Sequence, residues 1–507
     1  MLKNLSIEQF LATSDRQTVS LVIGMALGLS AALIGVLLAL LGPLWAAAIL
    51  VALVGGVWMV SSLTNALYTV IAIICLLPFA TVPFKIVLTP TLLDIAMGTA
   101  VGLYLIQWMT GERRELKTTP VHPFVVVFAA LTVFSFVAGL RHAGINTTIL
   151  RRFAELILSI GFGLMLVDIL REAKQIKHMV LAIAAGGVAA SLVGIVLWVL
   201  PDGTAANFLV RLSIIGYPDA GVIQYIESNP ALSERAIGTS VNPNALGGLL
   251  VLMGALIAPH AFSDQPLTGK RWHALAALVP VFGCLVLTFS RGSMLSFVVA
   301  IGVIALLRYP RLLILGVVAG AVFIVLPFTQ EYIVRFIEGF QGADLATQMR
   351  FGEYQDAILL ITRYPLLGVG FIGAPDIDIY LGVANVYLTI GSNMGLLGLS
   401  AFLLTMGAIF VYAWQARPRD GRPDELDPIW LGLLAGLVSV LFNGIFDHYF
   451  FNLEFHFAVT IFWIYIGLLL ATSRVLLTSR SGDEAAESVQ AQPDSAGVIT
   501  SEKSMAV

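Results

Sequence analysis

Charged side chains are scarce in this chain. Asp, Glu, Lys and Arg make up 12% of its 507 residues, whereas hydrophobic residues make up 58%. Such a composition lies far outside that of soluble globular proteins. Together with a mean hydropathy of +0.92 and repeated apolar runs of about twenty residues, it predicts an all-α polytopic membrane protein. Because the strands of an outer-membrane barrel alternate between apolar and polar residues, these continuous runs exclude that class.

Cysteines and nucleotide-binding loops are also few or missing. The two cysteines, Cys75 and Cys284, fall inside apolar runs, which predicts packing rather than a disulfide or a metal site. Neither G-x-x-x-x-G-K nor a strand-anchored G-x-G-x-x-G occurs, which argues against ATP-driven transport. Asp376 and Asp378 form a D-x-D pair that can hold a divalent cation on a diphosphate. That pattern often arises by coincidence, so no metal is assigned to it. No other cofactor and no nucleic-acid partner is expected.

The apolar runs predict fourteen membrane spans, and twelve to fourteen are compatible with the pattern. Basic residues cluster in alternate connections, for example at Arg113 and Arg114 and again at Lys270 and Arg271. The positive-inside rule therefore predicts that both termini are cytoplasmic, in a bacterial inner membrane. The approximate spans are 19–41, 44–61, 64–80, 91–110, 121–140, 148–169, 178–200, 243–262, 274–289, 292–307, 311–327, 384–413, 428–446 and 453–472.

The two ends of the chain are more polar than the predicted transmembrane domain, 19–472. Residues 1–18 are amphipathic and lack the apolar core of a cleavable signal peptide, so they are expected to be cytoplasmic and the first span to stay as an anchor. Residues 473–507 are rich in Ser, Ala and Glu and are predicted to form a disordered cytoplasmic tail.

Two segments on the predicted outer face are long, at about 201–242 and 328–383. The second carries Arg350, Glu353 and Asp356 at helical spacing, followed by a glycine-rich turn. It is predicted to form one or two helices that lie on the membrane surface or dip into it. A membrane protein has little use for so polar a segment unless the segment takes part in chemistry.

Basic residues on the predicted outer face are mostly arginine. Arginine grips phosphate oxygens with a planar fork and is weakly hydrated, so a cluster at headgroup depth suits a lipid-linked diphosphate. Single members can instead pair locally, as expected for Arg151 and Glu155 at i,i+4 spacing. The ten outer basic residues are Lys85, Arg141, Arg151, Arg152, Arg211, Arg235, Arg291, Arg335, Arg350 and Arg363.

Arg291 is the most constrained of these residues. It lies in FSRGSM, between two apolar runs that leave almost no loop. Ionisable groups this close to membrane depth are costly and usually functional. A helix predicted to start at Gly292 or Ser293 would add exposed N–H groups that favour an anion.

His448 is the main candidate for a general base. It lies beside Asp447 in FDHYF, in the last outer connection, where a neutral imidazole can take a proton from a sugar hydroxyl. An interfacial histidine among aromatic residues is an equally reasonable interpretation. His142 and His456 are weaker candidates.

Four motifs resemble the O-antigen ligase and polysaccharide polymerase superfamily of bacterial membrane glycosyltransferases. RAIGTSVNPNALGG resembles its Arg and Asn-Pro-Asn entry to a span, and FSRGSMLSF resembles its Ser-Arg-Gly helix start. The loop with Arg350, Glu353 and PLLGVG resembles its arginine helix and glycine turn. The family also has a signature in which His-Asn is followed, after nine residues, by Gly-x-x-Gly. The segment ANVYLTIGSNMGLLGL is similar to this signature, and Asn385, Gly395 and Gly398 occupy its Asn and its two Gly positions. The likeness covers about residues 230–470.

The resemblance implies a GT-C-like fold and metal-independent transfer of a glycan from an undecaprenyl diphosphate carrier, among membrane lipids. The glycan or lipid acceptor would be a lipid A-core sugar in a ligase, or the end of a growing chain in a polymerase; a protein hydroxyl is a third possibility. Asn244 and Asn385 would orient the diphosphate or the acceptor. The implied diphosphate-binding residues are Arg235, Arg291, Arg350 and Asn244. The implied catalytic residues are His448, Glu353 and Asn385.

One position departs from the signature, because Ala384 stands where the family has histidine. In the family that histidine is implicated in activating the acceptor hydroxyl, and losing a general base typically costs ~10²–10⁴ in rate. Three explanations are open. His448 or Glu353 supplies the base, the activity is related but different, or the change is inactivating.

Three other functions fit parts of the pattern. A lipid-linked oligosaccharide flippase would also have many spans and buried arginines, although flippases tend to have related halves and a charged central cavity. A peptidoglycan glycosyltransferase of the shape and division type would need a catalytic carboxylate on an outer loop. A nonenzymatic partner in surface assembly fits the missing histidine.

Overall fold

The computed structural model describes residues 15–82, 89–142, 144, 146–342, 345–372, 383–418 and 424–490. Helices dominate these residues, and several of them are long and apolar, which confirms the prediction of an all-α polytopic membrane protein. Among the residues singled out in the sequence, Lys85, Asp376 and Asp378 lie outside the described residues.

Sixteen α-helices and one short hairpin occupy the described part of the chain. The helices are α1 Arg16–Ser61, α2 Leu63–Leu76, α3 Leu92–Met109, α4 His122–Gly139, α5 Thr147–Ile169, α6 Ala173–Val199, α7 Asp202–Arg211, α8 Pro243–Ile257, α9 Arg271–Leu287, α10 Arg291–Leu307, α11 Arg311–Val325, α12 Gln330–Gln341, α13 Leu345–Arg363, α14 Val386–Gln415, α15 Asp427–Asn443 and α16 His456–Gln490. The hairpin strands are β1 Gln224–Tyr225 and β2 Glu234–Arg235, which pair antiparallel.

Each predicted span coincides with a helical segment, but the segments differ in length. Seven are long and apolar enough to cross a membrane: Arg16–Leu40, Leu92–Met109, His122–Gly139, Ala173–Val199, Pro243–Ala261, Val386–Gln415 and His456–Ser481. Six apolar segments are shorter: Ile49–Ser61, Leu63–Leu76, Arg271–Leu287, Arg291–Leu307, Arg311–Val322 and Asp427–Asn443. The fourteenth, α5, carries several charged residues. The number of helices that cross the membrane stays a prediction.

The chain divides into two compact units, Met1–Ala66 and Leu67–Val507. In the first unit, α1 is kinked at Gly42, which has φ 76° and precedes Pro43. Glycine tolerates this backbone conformation, and proline lacks the N–H that would continue the helix. The kink therefore separates the two apolar segments that the sequence predicts as spans 19–41 and 44–61.

In the second unit, helices α8 and α16 are enclosed by other helices along most of their length. Close packing depends on glycine where α5 and α16 cross. A Cβ atom added at Gly163 would lie 2.6 Å from the carbonyl oxygen of Trp463, and one at Gly467 would lie 2.4 Å from that of Gly163. Small residues let membrane helices approach to backbone contact in this way.

The glycine-rich turn that follows α13 docks onto a kink in α14. Val369 and Gly370 donate backbone hydrogen bonds of 2.9 Å to the carbonyl oxygens of Ser392 and Asn393. The kink is at Gly395, which has φ 67° and ψ −171°, a conformation open essentially to glycine alone. The turn thereby fixes the end of α13, the helix that carries Arg350 and Glu353, against the membrane-spanning helix that follows.

Helix α16 extends beyond the predicted end of the last span at 472 and continues to Gln490. Residues 473–490 of the predicted tail are therefore helical here, and residues 491–507 lie outside the described residues. Although serine is the commonest residue in 473–490, Leu, Arg, Ala and Glu together supply eight of its eighteen residues and favour helix, so a helix already nucleated in the preceding residues continues through it.

Candidate functional site

The segment before α8 places Arg235 and Asn244 in contact. Asn242 is the N-cap residue of α8, and its Oδ1 accepts hydrogen bonds from the backbone N–H groups of Asn244 (2.9 Å) and Ala245 (3.1 Å). Arg235 ends the hairpin and donates to Oδ1 of Asn244 at 2.6 Å and to the carbonyl oxygen of Thr288 at 2.8 Å. The guanidinium is thus held between the start of α8 and the turn that precedes α10.

Arg291 is the first residue of α10, one or two positions earlier than the predicted helix start. The turn before it is tight, because Phe289 has φ 50° and Ser290 is the N-cap residue. Helix N-termini carry backbone N–H groups without helical partners and a partial positive charge. Arg291 therefore adds a full charge to a helix end that already favours anions.

A cavity of about 200 Å³ brings Arg235, Arg291, Arg350 and Asn244 together. The N-terminal residues of α8 and α10 both contribute to its wall. Two carboxylates, Asp447 and Glu227, face the three guanidinium groups, so the charged lining is three positive and two negative. The remaining lining residues are Gln224, Tyr225, Ser228, Phe289, Ser290, Gly292, Asn443, Phe446 and Tyr449.

Left-handed backbone conformations concentrate around this cavity. In the described part of the chain, four non-glycine residues have positive φ: Glu227, Ser228, Val241 and Phe289, at 53°, 57°, 58° and 50°. Three of the four line the cavity. Such conformations cost about 1–3 kcal/mol each and cluster at functional sites, where the surrounding structure holds them.

Glu353 lies one helical turn beyond Arg350 on α13, outside the residues that line the cavity. Its Oε2 accepts a 2.9 Å hydrogen bond from the backbone N–H of Ala384, and the neighbouring Tyr354 donates to the carbonyl oxygen of Ala384 at 3.0 Å. Burial raises the pKa of the Glu353 carboxyl, opposed by the hydrogen bond from the Ala384 N–H and by the positive charge of Arg350. The backbone N–H and the carbonyl oxygen of Ala384 are thus both hydrogen-bonded to side chains of α13.

Asn385 is the N-cap residue of α14. Its Oδ1 accepts from the N–H of Leu388 at 2.9 Å, and its Nδ2 donates to the carbonyl oxygen of Ile445 at 3.0 Å. These bonds tie the start of α14 to the end of α15. A direct contact of Asn385 with substrate stays a prediction.

His448 also lies next to the cavity without lining it. Its Nδ1 is 3.7 Å from Oδ1 of Asp447, which does line the cavity. This Nδ1 is buried and has no hydrogen-bond partner among the described residues. A neutral imidazole can take a proton at its unprotonated ring nitrogen.

Several cavity residues were not predicted from the sequence. Tyr449 is buried and donates a 2.9 Å hydrogen bond to Oδ1 of Asn443. Burial raises the pKa of the Tyr449 hydroxyl well above its usual value, so it stays protonated and can donate. The FDHYF motif contains Tyr449, but only its histidine and aspartate attracted attention. Glu227 and Ser228 lie in the hairpin, and neither residue type indicates from the sequence that it lines a cavity.

Other outer arginines have local partners instead. Arg151 lies 3.4 Å from Oε1 of Glu155, which confirms the predicted i,i+4 pair. Arg152 donates to Glu454 at 2.9 Å. The arginines of the predicted outer face therefore divide into a set that shares the cavity and a set bound elsewhere. The diphosphate-binding role of the first set stays a prediction.

Residues 276–403 match the family model described as O-antigen ligase (Wzy_C). The likeness to the O-antigen ligase and polymerase superfamily is confirmed. The O-antigen ligase match includes Arg291, Arg350, Glu353 and the Ala384–Asn385 position, and covers about a quarter of the chain. It supports a glycosyltransferase-type enzyme that transfers glycans in surface polysaccharide assembly, with a lipid-linked glycan and an acceptor as partners. No curated protein matches the chain significantly.

Proposed function

We propose that the chain transfers a glycan from an undecaprenyl diphosphate carrier to an acceptor hydroxyl at the outer face of the bacterial inner membrane, as an O-antigen ligase or polymerase. One observation carries this proposal: Arg235, Arg291 and Arg350 line a single cavity together with the N-termini of two helices. A diphosphate needs such a concentration of donors and positive charge.

The same cavity supports a mechanism that uses no metal for the transfer step. The acceptor oxygen attacks the anomeric carbon of the donor sugar, and the bond from that carbon to the diphosphate oxygen breaks. Undecaprenyl diphosphate leaves with the bonding electrons. The three guanidinium groups stabilise the negative charge that develops on the leaving group, and they do so most strongly where water is scarce.

His448 is proposed as the base that receives the proton of the acceptor hydroxyl. Its imidazole lies next to Asp447, which lines the cavity. Glu353 is the second candidate, because it lies one turn from Arg350 and has a raised pKa. Asn385 fixes the start of α14, where Ala384 replaces the histidine of the family signature.

A lipid-linked oligosaccharide flippase and a peptidoglycan-type polymerase remain the alternatives. The lining of the cavity favours transfer over flipping, because its residues belong to segments predicted at the outer face or to the outer ends of the adjoining predicted spans. A transport path would need charged or polar lining that continues to the other face.

Reconstitution tests the proposal. The purified full-length chain, in proteoliposomes, is incubated with an undecaprenyl diphosphate-linked oligosaccharide, with or without a lipid A-core acceptor, and products are identified by mass spectrometry. A ligated acceptor indicates a ligase, and a ladder of donor repeats indicates a polymerase. Movement of the donor across the bilayer without any new glycosidic bond would contradict the proposal in favour of a flippase.

A further inference from the structure

A second polar cluster lies where α3, α5 and α16 begin, at their predicted outer ends. It consists of Asp94, Glu155 and His456, one residue from each helix. None of the three lines the arginine cavity. Glu155 and His456 are buried, with 5% and 8% of their surface exposed. Ionisable groups buried in this way at membrane depth need a partner.

The packing of α5 against α16 sets the distance between Glu155 and His456. Toward the predicted cytoplasmic end the two helices touch at Gly163 and Gly467. One turn further out on α5 and two turns further out on α16, Ser159 Oγ lies 2.9 Å from Thr460 Oγ1. Glu155 and His456 come one turn beyond that pair on each helix. The two ligating side chains are therefore carried by a rigid parallel pair of helices.

The distances within the cluster fit a metal ion. Nδ1 of His456 lies 3.5 Å from Oδ1 of Asp94 and 3.9 Å from Oε2 of Glu155, and one ligand atom from each residue lies within 4.8 Å of the others. Nitrogen and oxygen ligands at the corners of a tetrahedron around Zn²⁺ are about 3.4 Å apart. The two distances from His456 are close to that value, so side-chain adjustments would place three ligand atoms around one ion, with water as the fourth ligand.

The ligand atoms lack other partners. Among the described residues, nothing hydrogen-bonds to Nδ1 or Nε2 of His456 or to Oδ1 of Asp94, although all three atoms are buried. An unsatisfied buried polar group costs about 1–3 kcal/mol. A cation bound by Nδ1 and Oδ1 would remove that cost for both atoms.

The carboxylates are oriented from the opposite side. Oδ2 of Asp94 accepts from the N–H of Thr91 at 2.8 Å and lies 3.9 Å from the guanidinium of Arg151. The same guanidinium lies 3.4 Å from Oε1 of Glu155 and donates to the carbonyl oxygen of Thr89 at 2.9 Å. Each carboxylate thus directs one oxygen to Arg151 and the other toward His456. Partners of this kind orient metal ligands in known sites.

We propose that Asp94, Glu155 and His456 bind a first-row divalent cation, with Zn²⁺ as the ion to test, and that this ion joins the outer ends of α3, α5 and α16. With a neutral imidazole, two carboxylates and one guanidinium give the cluster a net charge of −1, which a dication complements. Imidazole with carboxylate is a ligand set that suits Zn²⁺. The ion is structural and takes no part in glycan transfer.

The test measures metal binding and needs no activity assay. The purified full-length protein in detergent is stripped with a chelator and titrated with Zn²⁺, followed by calorimetry, by metal analysis and by thermal unfolding. Co²⁺ serves as a visible-absorption probe of the same ligands. We expect one Zn²⁺ per chain and a higher Tm with Zn²⁺ than without.

Variants assign the site. His456→Gln and Asp94→Asn should each weaken Zn²⁺ binding by at least about 10-fold, the smaller end of the loss seen when only an orienting partner is removed, and should abolish the rise in Tm. His178→Gln, which changes an exposed histidine of α6, should bind Zn²⁺ like the wild type. If His456→Gln does not fold, Asp94→Asn decides, because the asparagine oxygen can still accept the hydrogen bond from the N–H of Thr91, the N-cap residue of α3. A wild type without Zn²⁺ binding, or both variants with undiminished binding, would overturn the proposal.

Discussion

The guanidinium of Arg235 and the side-chain oxygen of Asn244 are joined by a 2.6 Å hydrogen bond. The bond links a hairpin in one outer segment to the N-terminus of a buried helix. Asn244 has no other reason to be polar, since the cap of that helix is supplied by Asn242. Asn244 lines the cavity, whereas Asn242 caps the helix, so we propose that Asn244 serves the site and Asn242 serves the fold.

Replacing these two asparagines separately should show which of them transfer depends on. Asn244→Ala leaves the guanidinium of Arg235 without its partner on α8, so kcat/KM should fall by about 10–100-fold, less than the ~10²–10³ typical of losing a preorganised donor outright; the lost hydrogen bond should lower Tm as well. Asn242→Ala removes the helix cap and should lower the free energy of unfolding by about 0.5–2 kcal/mol, with transfer retained. Equal loss of activity in both variants would contradict this division.

Arg291→Lys should cripple transfer without affecting expression. Lysine keeps the charge but loses the planar fork, and it cannot reproduce two parallel bonds to phosphate oxygens. Losing one preorganised donor of a developing negative charge typically costs ~10²–10³ in kcat. Arg363→Lys is the matched control, because Arg363 is an exposed residue at the end of α13 that does not line the cavity. Full activity of Arg291→Lys would refute the proposed role.

The base can be assigned by comparing His448→Gln with Glu353→Gln. We expect His448→Gln to lower kcat by ~10²–10⁴. Glu353→Gln should keep most of the activity, because the glutamine oxygen can still accept the Ala384 N–H. Single-turnover rates with the reconstituted donor measure both effects. The opposite ranking would move the role of base to Glu353.

Stability should depend on pH through Glu353. Because burial raises its pKa above the ordinary value of 4.5, the folded protein disfavours the carboxylate. The unfolded chain then ionises first, so the stability of the wild type falls as pH rises from the ordinary pKa through the raised one. Glu353→Gln cannot ionise, so its Tm relative to wild type should increase as pH rises from 4.5 through the raised pKa of Glu353. A constant Tm difference over that range would show that burial of the carboxyl has no energetic effect.

Gly395→Ala should destabilise the protein severely. Its backbone conformation is nearly exclusive to glycine, which costs another residue about 1–3 kcal/mol, and a Cβ atom would lie 2.3 Å from the carbonyl oxygen of Leu366. Gly407→Ala in the same helix meets no atom within 4 Å, and should stabilise α14 by about 0.5–1 kcal/mol. Thermal unfolding in detergent compares the two. Similar Tm values would mean that the kink can be replaced by straight helix.

Much of this architecture can be predicted from the sequence, because the hydropathy and charge of a segment depend only on the residues of that segment. Apolar runs coincide with helices, and Arg235, Arg291, Arg350 and Asn244 come together as the shared phosphate chemistry of their motifs suggests. The position of Glu227 in the cavity could not be predicted in this way. It depends on a left-handed backbone conformation in the hairpin, which the residue type does not reveal. Asn443 enters the cavity only because α15 ends there.

The other features that the sequence did not predict depend on tertiary packing. Neither Asp94 nor Glu155 is distinctive in sequence, and their meeting with His456 depends on how closely α5 and α16 approach at glycine residues far from the cluster. The extension of α16 to Gln490 reflects helix propensity in a stretch whose composition also suits disorder. Composition alone cannot separate those two outcomes.

The glycine turn meets α4 and α14 through main-chain atoms. A Cβ atom at Gly139 would lie 2.7 Å from Cα of Gly370, and one at Gly368 would lie 2.4 Å from the carbonyl oxygen of Ser392. Peptide groups are the same in every residue, so these two contacts depend on the absence of a side chain rather than on the chemistry of one. In a randomised library of positions 365–372, functional clones should keep both glycines of the turn; exposed Leu366 should vary widely, whereas buried Val369 should stay apolar.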